Sequence, residues 1–306
     1  MSRIAARRRV TRIALGRAPH ERIDHLAVEE PLEIRVQGRS LAVTMRSPGH
    51  DVELAAGFLV SEGVIHQRDD FSTARYCAGA TADDGNTYNV LDVALGPGVA
   101  PPDPSLERDI TMTSACGLCG KSSIDSVRMK SYFTVSDDPL VVDAADLAQL
   151  PKALRAQQTV FDRTGGLHAA GLFDTMTGEL LVLREDVGRH NAVDKVIGWA
   201  LLQGRLPARG CVLMVSSRAS FELVQKACMA GIPMLAAVSA PSSLAADLAE
   251  EAGLTLVGFL RGETMVAYAR ADRITVDGTA IAGDTGSTTD DDSTAGDDDS
   301  TAEDAR

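Results

Sequence analysis

Residues 210–262, "GCVLMVSSRASFELVQKACMAGIPMLAAVSAPSSLAADLAEEAGLTLVGFLRG", decide the fold class of this chain. Three apolar runs in this stretch are typical of buried strands, and the two segments between them have helical spacing and end at Gly231 and Gly253. Strands and helices that alternate with short connections imply right-handed crossovers and a sheet covered by helices. The stretch therefore predicts an α/β fold with a mostly parallel sheet.

Ligands of such sheets bind beyond the carboxyl ends of the strands, where helix N-termini offer unpaired N–H groups. The residues of interest in the segments that follow the three strands are Ser216, Ser217, Arg218, Ser239, Ser242, Arg261 and Gly262. Two arginines and several hydroxyls suit a phosphate-bearing ligand, but no glycine-rich phosphate motif is present. The alternative is that the serines only cap helices.

The residues before this stretch extend the same domain. "GGLHAAGLFDTMTGELLVLRED" predicts two strands about a Thr177-Gly178 turn, and "NAVDKVIGWALLQG" predicts a helix. Between them, "EDVGRHN" places Glu185, Asp186, Arg189 and His190 at a strand-to-helix turn. Such turns carry function on rigid scaffolds, although a surface Asp-Arg network with a helix cap is the alternative. His168 in the first strand is either a site residue or a hydrogen-bonded core histidine.

The N-terminal part has a different pattern. "PLEIRVQGRSLAVTMRSP" alternates apolar and polar residues on both sides of Gln37-Gly38 and predicts a β-hairpin. "DVELAAGFLVSEGVI" predicts a helix stopped by Gly63, and "NTYNVLDVAL" predicts another strand. We expect a small α+β domain over 25–110, with the proline-rich segment 96–105 as a linker or extended rim.

The charge of the chain is unevenly distributed. Of the net −13, a net −8 lies in residues 283–306, which hold eight Asp, one Glu and one Arg. This composition predicts a disordered acidic tail over 277–306, and the arginines of residues 1–24 predict a basic flexible arm. The α/β domain is then expected over 111–276.

Composition also limits the partners and the compartment. An acidic surface repels a phosphate polymer, so nucleic-acid binding is not favoured. No run approaches the ~18 apolar residues of a membrane-spanning helix, and no secretory signal is evident. Five cysteines are too few and too scattered for a disulfide framework, which favours a cytoplasmic location.

"TSACGLCGKSS" (113–123) contains a CxxC pair, Cys116 and Cys119. A structural zinc site takes four protein ligands and a catalytic site three, whereas one CxxC supplies two. A zinc deaminase also needs an HxE motif and a proline before its CxxC, but two alanines follow His168 and Ala115 precedes Cys116. Zinc is therefore the weaker interpretation.

A redox dithiol of the thioredoxin type is a second interpretation, but its CxxC opens a helix directly after a strand. Here the pair follows a proline-rich segment instead. The glycines beside Cys116 and Cys119 would let the loop expose both sulfurs, and Lys121 or a helix N-terminus would lower a thiol pKa. Reversible sulfur chemistry is the leading class.

Six segments in order resemble the FdhD family of formate dehydrogenase accessory sulfurtransferases. They are "TSACGLCGKSSI", "GGLHAAGLFD", "REDVGRHNAVDKVIG", "SSRASFELVQKA", "AGIPMLAAVSAPSSLA" and "GLTLVGFLRG". The resemblance runs from about residue 25 to residue 272, so both terminal extensions lie outside it. Runs of this length are far more specific than a single CxxC.

The resemblance implies a cytidine-deaminase-like α/β domain without the deaminase zinc set, and a homodimer. It implies that Cys116 accepts persulfide sulfur from a cysteine desulfurase, with Cys119 as its partner. The sulfur then passes to the molybdenum cofactor, a bis-guanine dinucleotide, before insertion into formate dehydrogenase. The cofactor-binding residues that the resemblance and the strand-end position imply are Phe259, Leu260, Arg261, Gly262, Glu263, Thr264, Ser217 and Arg218.

Two other functions compete with the sulfur carrier. A chaperone would hold the cofactor while another protein supplies sulfur, and it would retain its activity without Cys116. A nucleotide deaminase would hold zinc bound directly by the protein, whereas the sulfur carrier needs none.

Overall fold

The computed structural model describes residues 4–77, 88–102 and 131–281. The predicted sulfur-carrying pair, Cys116 and Cys119, and nearly all of the acidic tail lie outside these residues. Among the helices that are described, none has both the length and the apolar content needed to cross a bilayer.

The largest sheet has six strands in the order β13-β12-β11-β10-β8-β9. Their bounds are β8 His168–Asp174, β9 Leu180–Asp186, β10 Cys211–Val215, β11 Met234–Ala237, β12 Thr255–Arg261 and β13 Thr264–Ala269. Strands β10, β11 and β12 are parallel to one another, as the alternating sequence predicts. Strands β8, β9 and β13 join antiparallel. The predicted α/β sheet is confirmed, with its parallel part confined to the three central strands.

Helices cover both faces of this sheet. Their bounds are α2 Ala144–Ala156, α3 Thr159–Thr164, α4 Arg189–Leu202, α5 Phe221–Met229 and α6 Ser243–Ala252. Helices α4, α5 and α6 pack on one face, and α2 packs on the other. A small sheet of β7 (Val142–Asp143), β14 (Ile274–Val276) and β15 (Thr279–Ala280) lies beside α2. Strand β15 therefore occupies residues that we predicted to begin the disordered tail at 277.

The N-terminal part forms a four-stranded sheet and one helix. The sheet has the order β4-β3-β6-β5, with β3 Glu30–Val36, β4 Arg39–Arg46, β5 Phe71–Tyr76 and β6 Val90–Leu95. The predicted hairpin turn is confirmed, because Gln37 and Gly38 both have positive φ angles, as a two-residue hairpin turn of matching twist requires. Helix α1 (Asp51–Ser61) ends just before Gly63, as predicted.

The N-terminal sheet and the large sheet share one hydrophobic core. Leu32, Leu54 and Leu91 belong to the same buried cluster as Val196 and Leu213. The boundary predicted at residue 110 falls outside the described residues. The shared core means that the two parts do not bury their apolar faces separately.

The N-terminal arm has more structure than we predicted. Residues 1–24 were expected to form a flexible arm, but β1 (Ala5–Arg12) and β2 (His20–Ala27) pair as an antiparallel hairpin. β-Branched residues such as Val10, Thr11 and Ile23 suit a strand, and α3 packs against both strands.

Candidate functional site

Five strands of the large sheet bring polar segments to one edge. The parallel strands β10, β11 and β12 end there, and β9 also ends there because it runs antiparallel to β8. Strand β8 begins at this edge, so His168 lies near Ser216: the Ala169 amide donates to Ser216 Oγ at 2.8 Å. The segments that the sequence singled out therefore meet at one place.

A cavity of about 470 Å³ opens at this edge. Helices α2 and α3 form one wall, and the strand ends at His168, Ser216 and Val238 form another. The lining residues are Pro151, Leu154, Arg155, Gln158, Phe161, Gly165, Gly166, Leu167, His168, Val187, Ser216 and Val238. An apolar lining with a few polar groups at the carboxyl edge of a sheet is typical of a small-molecule site.

The segment "FLRGET" forms the hairpin between β12 and β13 at the same edge. Arg261 is exposed, and its Nε donates to the Val238 carbonyl at 2.6 Å. Because Val238 lines the cavity, this contact places Arg261 beside the cavity. Phe259 has a φ of 50° and is 41% exposed, so the irregular backbone turns this aromatic ring towards solvent.

The other residues of this hairpin divide by exposure. Gly262, Glu263 and Thr264 are exposed, and Thr264 Oγ1 donates to the Arg261 carbonyl at 3.0 Å. Leu260 is fully buried in the core cluster under α2. Its side chain therefore packs beneath the hairpin, and its predicted part in cofactor binding stays a prediction.

The side chains of two serines at this edge form hydrogen bonds with backbone groups. Ser217 Oγ donates to the Arg218 carbonyl at 3.0 Å, and Ser242 Oγ accepts from the Ala245 amide at 3.2 Å, capping α6. The capping alternative is thus confirmed for Ser242. Arg218 is exposed, but neither it nor Ser217 lines the cavity. Within residues 216–220, Arg218 is therefore the residue whose charged side chain faces solvent.

Two histidines lie close together next to the cavity. Burial, followed by the charges of Arg189 and His190, lowers the pKa of His168, so this half-buried side chain is neutral at pH 7. His190 Nε2 lies 3.4 Å from Ser220 Oγ and 3.8 Å from Glu222 Oε2. The contact with His190 lowers the pKa of Glu222 to about 2.

The turn "EDVGRHN" is mostly structural rather than a surface network. Asp186 is fully buried and pairs with Lys195 at 2.7 Å. Glu185 accepts from the amides of Val160 and Phe161 and so caps α3. The alternative interpretation of this turn was a surface network of aspartate and arginine with a helix cap. The structure instead pairs Asp186 with a lysine in the core.

Arg189 differs from the rest of this turn. Its Nε is buried and has no hydrogen-bond partner among the described residues. Buried donors are satisfied in most folded proteins. This N–H group is therefore a buried donor at this end of the sheet whose hydrogen bond no described residue supplies.

Cys211 and Cys228 behave as core residues, as their sequence patterns predict, whereas Cys77 is only half-buried. Cys211 and Cys228 are buried, and burial raises the pKa of Cys211 to about 11 and that of Cys228 to about 12. Neither thiol is ionised at neutral pH, so neither suits sulfur chemistry. No grouping of three potential metal ligands occurs in the described ranges, which exclude Cys116 and Cys119.

Sequence reasoning missed the wall of the cavity formed by α2 and α3. Gln158 and Arg155 line this wall, and they belong to a segment for which no functional role was predicted. The signal was present, because Leu147, Leu150 and Leu154 are buried at helical spacing. The pairing of His190 with Glu222 was also missed, since the two lie in different helices and no local pattern joins them.

The sequence and the structure are both similar to proteins of one family. Residues 27–275 match the model of the FdhD/NarQ family. The chain is 60% identical to the sulfur carrier protein FdhD of Streptomyces avermitilis over 92% of this chain and 100% of the relative. It is 62% identical to the protein of the same name in Streptomyces coelicolor, over 90% of this chain and 97% of the relative.

A crystal structure assigned to a formate dehydrogenase accessory protein of Desulfotalea psychrophila has the same fold. The two superimpose with a TM-score of 0.69 over 89% of this chain and 100% of the other, at 23% identity. The sequence match covers the large sheet, the cavity wall and the "FLRGET" hairpin together. The chain therefore belongs to the FdhD/NarQ family.

Proposed function

We propose that this protein is a sulfur carrier required for formate dehydrogenase activity. It accepts persulfide sulfur from a cysteine desulfurase and transfers it to the molybdenum cofactor before that cofactor enters formate dehydrogenase. The relatives named as sulfur carrier proteins support the general role. The persulfide, the cofactor and the two protein partners are parts of the proposal.

The cavity beside Arg261 is the observation that carries the cofactor half of this proposal. A guanine dinucleotide needs an apolar recess for its rings and cations for its diphosphate. The cavity offers the recess, and Arg261 and Arg218 offer guanidinium groups at the same edge. The Nε of Arg261 is already used by Val238, so its two terminal nitrogens remain to hold phosphate oxygens.

The sulfur half depends on Cys116 and Cys119. The Cys116 thiolate attacks the terminal sulfur of the donor's persulfide, the donor S–S bond breaks, and the donor cysteine leaves as a thiolate. Cys116 then carries the sulfur as a persulfide. Such exchange is fastest when the pKa of the attacking thiol lies near ambient pH. Cys119 is the second thiol that can attack this persulfide in turn, by relay or release. The protein is in this sense a sulfurtransferase.

We further propose that the protein acts as a cytoplasmic homodimer. A cytoplasmic location keeps the free thiols reduced between turnovers. The cofactor is bound as substrate, and no metal is ligated directly by the protein.

Mass spectrometry after incubation with a desulfurase and cysteine tests the sulfur half. We expect a gain of about 32 Da that reductant removes, as thiol exchange requires, and its loss in Cys116→Ala. A Cys211→Ser variant is the matched control, because Cys211 is a buried thiol with a raised pKa and should not alter loading. Full loading of Cys116→Ala would refute this assignment.

GDP binding separates the carrier from a cofactor-binding chaperone. A carrier with Cys116→Ala binds GDP normally but no longer supports formate dehydrogenase maturation. Retention of both GDP binding and maturation would identify a chaperone that holds the cofactor without transferring sulfur. One zinc ion per chain, measured on the purified protein, would favour the deaminase alternative.

A further inference from the structure

The N-terminal hairpin, β1 and β2, carries positive charge that the described residues do not neutralise. Two of its arginines are paired, Arg9 with Glu21 and Arg22 with Asp24. The arginines that make no ion pair with any described residue are Arg7, Arg8, Arg12 and Arg17. The hairpin is thus cationic in a protein whose net charge is −13.

The register of the hairpin gathers three arginines on one face. Arg8 lies opposite Asp24, Val10 opposite Arg22, and Arg12 opposite His20. Side chains that lie directly opposite, or two residues apart, share a face. Arg8 and Arg12 are therefore separated by about 13 Å along the strand, with Arg22 between them. We call this row of three guanidinium groups the arginine face.

The arginine face carries more positive than negative charge. Arg8 lies opposite Asp24, but neither Arg8 nor Arg12 forms an ion pair with a described residue. Asp24 is the one carboxylate on this face, and it already accepts from Arg22 and from the His25 amide. An anionic segment laid along the face would balance this positive charge.

The chain itself contains such a segment. Residues 283–306 carry a net charge of −8, with two runs of three aspartates at 290–292 and 297–299. They have almost no apolar side chains, so they would bind a partner through electrostatic contacts. The described chain ends at Ile281, directly after β15, so this segment starts from a known place on the fold.

The distance between that place and the hairpin is short compared with the tail. Near its end, the chain contacts the start of α2: the Gly278 amide is 3.5 Å from Asp143 Oδ2, beside the first turn of that helix. Helix α2 spans about 20 Å, at 1.5 Å per residue, and leads to α3, which packs on β2. An extended chain covers about 3.3 Å per residue, so residues 282–306 can reach the hairpin several times over.

We propose that the acidic segment 283–306 docks on the arginine face of the N-terminal hairpin of the same chain. Tethering gives the segment a millimolar effective concentration, so weak charge-charge contacts suffice to keep it bound. The contact shields the arginine face from other anions. It leaves Ile13 and Leu15 at the hairpin tip uncovered, because the tail has no apolar side chain larger than alanine to pack on them. The proposal does not depend on sulfur transfer.

A labelled synthetic peptide of residues 283–306 tests this directly by fluorescence anisotropy. We expect the peptide to bind a chain that ends at residue 282, and to bind the full chain at least tenfold more weakly, because the tethered segment competes. Raising the salt concentration from 50 to 500 mM should weaken binding to the shortened chain at least tenfold, because exposed charges are screened.

Variants locate the contact. In the shortened chain, Arg8→Ser with Arg12→Ser should lose at least tenfold in peptide affinity. The matched control, Lys152→Ser with Arg209→Ser, removes the same charge from exposed positions elsewhere and should bind as before. Equal affinity in both double variants, or no binding at low salt, would overturn the proposal. So would a shortened chain that ignores the peptide but binds anionic lipid vesicles through Arg8 and Arg12.

Discussion

Gly57 of α1 and Gly198 of α4 face each other where these two helices cross. A Cβ atom at Gly57 would lie 1.8 Å from the Asp194 carbonyl oxygen, and one at Gly198 would lie 1.8 Å from the Glu53 carbonyl oxygen. The two backbones are therefore in direct contact. This crossing joins the N-terminal part to the large sheet and fixes the position of α4, whose first turn carries Arg189 and His190 beside the cavity.

Replacing either glycine should weaken the whole fold. For Gly198→Ala we expect a loss of about 1–3 kcal/mol or more in the free energy of unfolding, because rigid backbone must move to admit a methyl group. Denaturant unfolding measures it. Gly166→Ala is the matched control: its Cβ would meet Ala27 at an ordinary 3.6 Å, so we expect a change within about 0.5 kcal/mol. Equal stability of the two variants would contradict the close crossing.

The buried pair of Lys195 and Asp186 holds the same helix. Lys195 Nζ lies 2.7 Å from Asp186 Oδ2 and donates to the Ser47 carbonyl at 2.9 Å. Lys195→Met would leave a buried carboxylate unpaired, so we expect a loss of about 3–5 kcal/mol. The exposed pair Arg155–Asp162 provides the control, and Arg155→Met should cost less than about 1 kcal/mol. Similar losses for both would refute the buried charge pair.

The pair of Glu53 and Arg184 should make stability depend on pH. Burial opposes the ionisation of Glu53, but hydrogen bonds from Arg184 and His50 outweigh it and lower the pKa from 4.5 to about 2. The stabilisation is therefore present above pH 4.5 and is lost as the pH falls towards 2. At pH 7, Glu53→Gln should lose about 1.5 kcal/mol, the low end for hydrogen bonds to charged groups. The exposed Glu250→Gln is its control.

Denaturant unfolding at several pH values checks this sign. The difference in unfolding free energy between wild type and Glu53→Gln should shrink below pH 4.5, because the unfolded wild-type chain then binds a proton at Glu53 that the folded state binds only near pH 2. A difference that stayed constant down to pH 3 would show that the carboxylate is not held ionised by Arg184.

Arg261 should contribute to ligand affinity and not to sulfur loading. We expect Arg261→Ala to weaken GDP binding at least tenfold, since charge-assisted hydrogen bonds contribute about 1.5–3 kcal/mol and about 1.4 kcal/mol is a factor of ten. Titration calorimetry measures this, with the exposed Arg209→Ala as the control. Persulfide loading should be unchanged, because it depends on Cys116. Unchanged GDP affinity in a folded variant would remove Arg261 from the proposed site.

The sequence alone predicted most of the helices and strands because their signals are local. Apolar alternation on both sides of Gln37-Gly38 specified a hairpin, and apolar runs bounded by Gly231 and Gly253 specified the central strands and helices. The order of segments also carried the family resemblance, which the match over residues 27–275 confirms.

Tertiary structure alone decided which distant residues meet. Lys195 forms an ion pair with Asp186 inside the core, Arg261 donates a hydrogen bond to the Val238 carbonyl, and His190 lies next to Glu222. No sequence pattern predicts the last two contacts. The cost of burying charge depends on which partner the folded chain supplies, and a linear pattern does not contain that information. The sequence determined the elements and the chemistry available, whereas packing of α2 and α3 against the strand ends determined where the cavity lies.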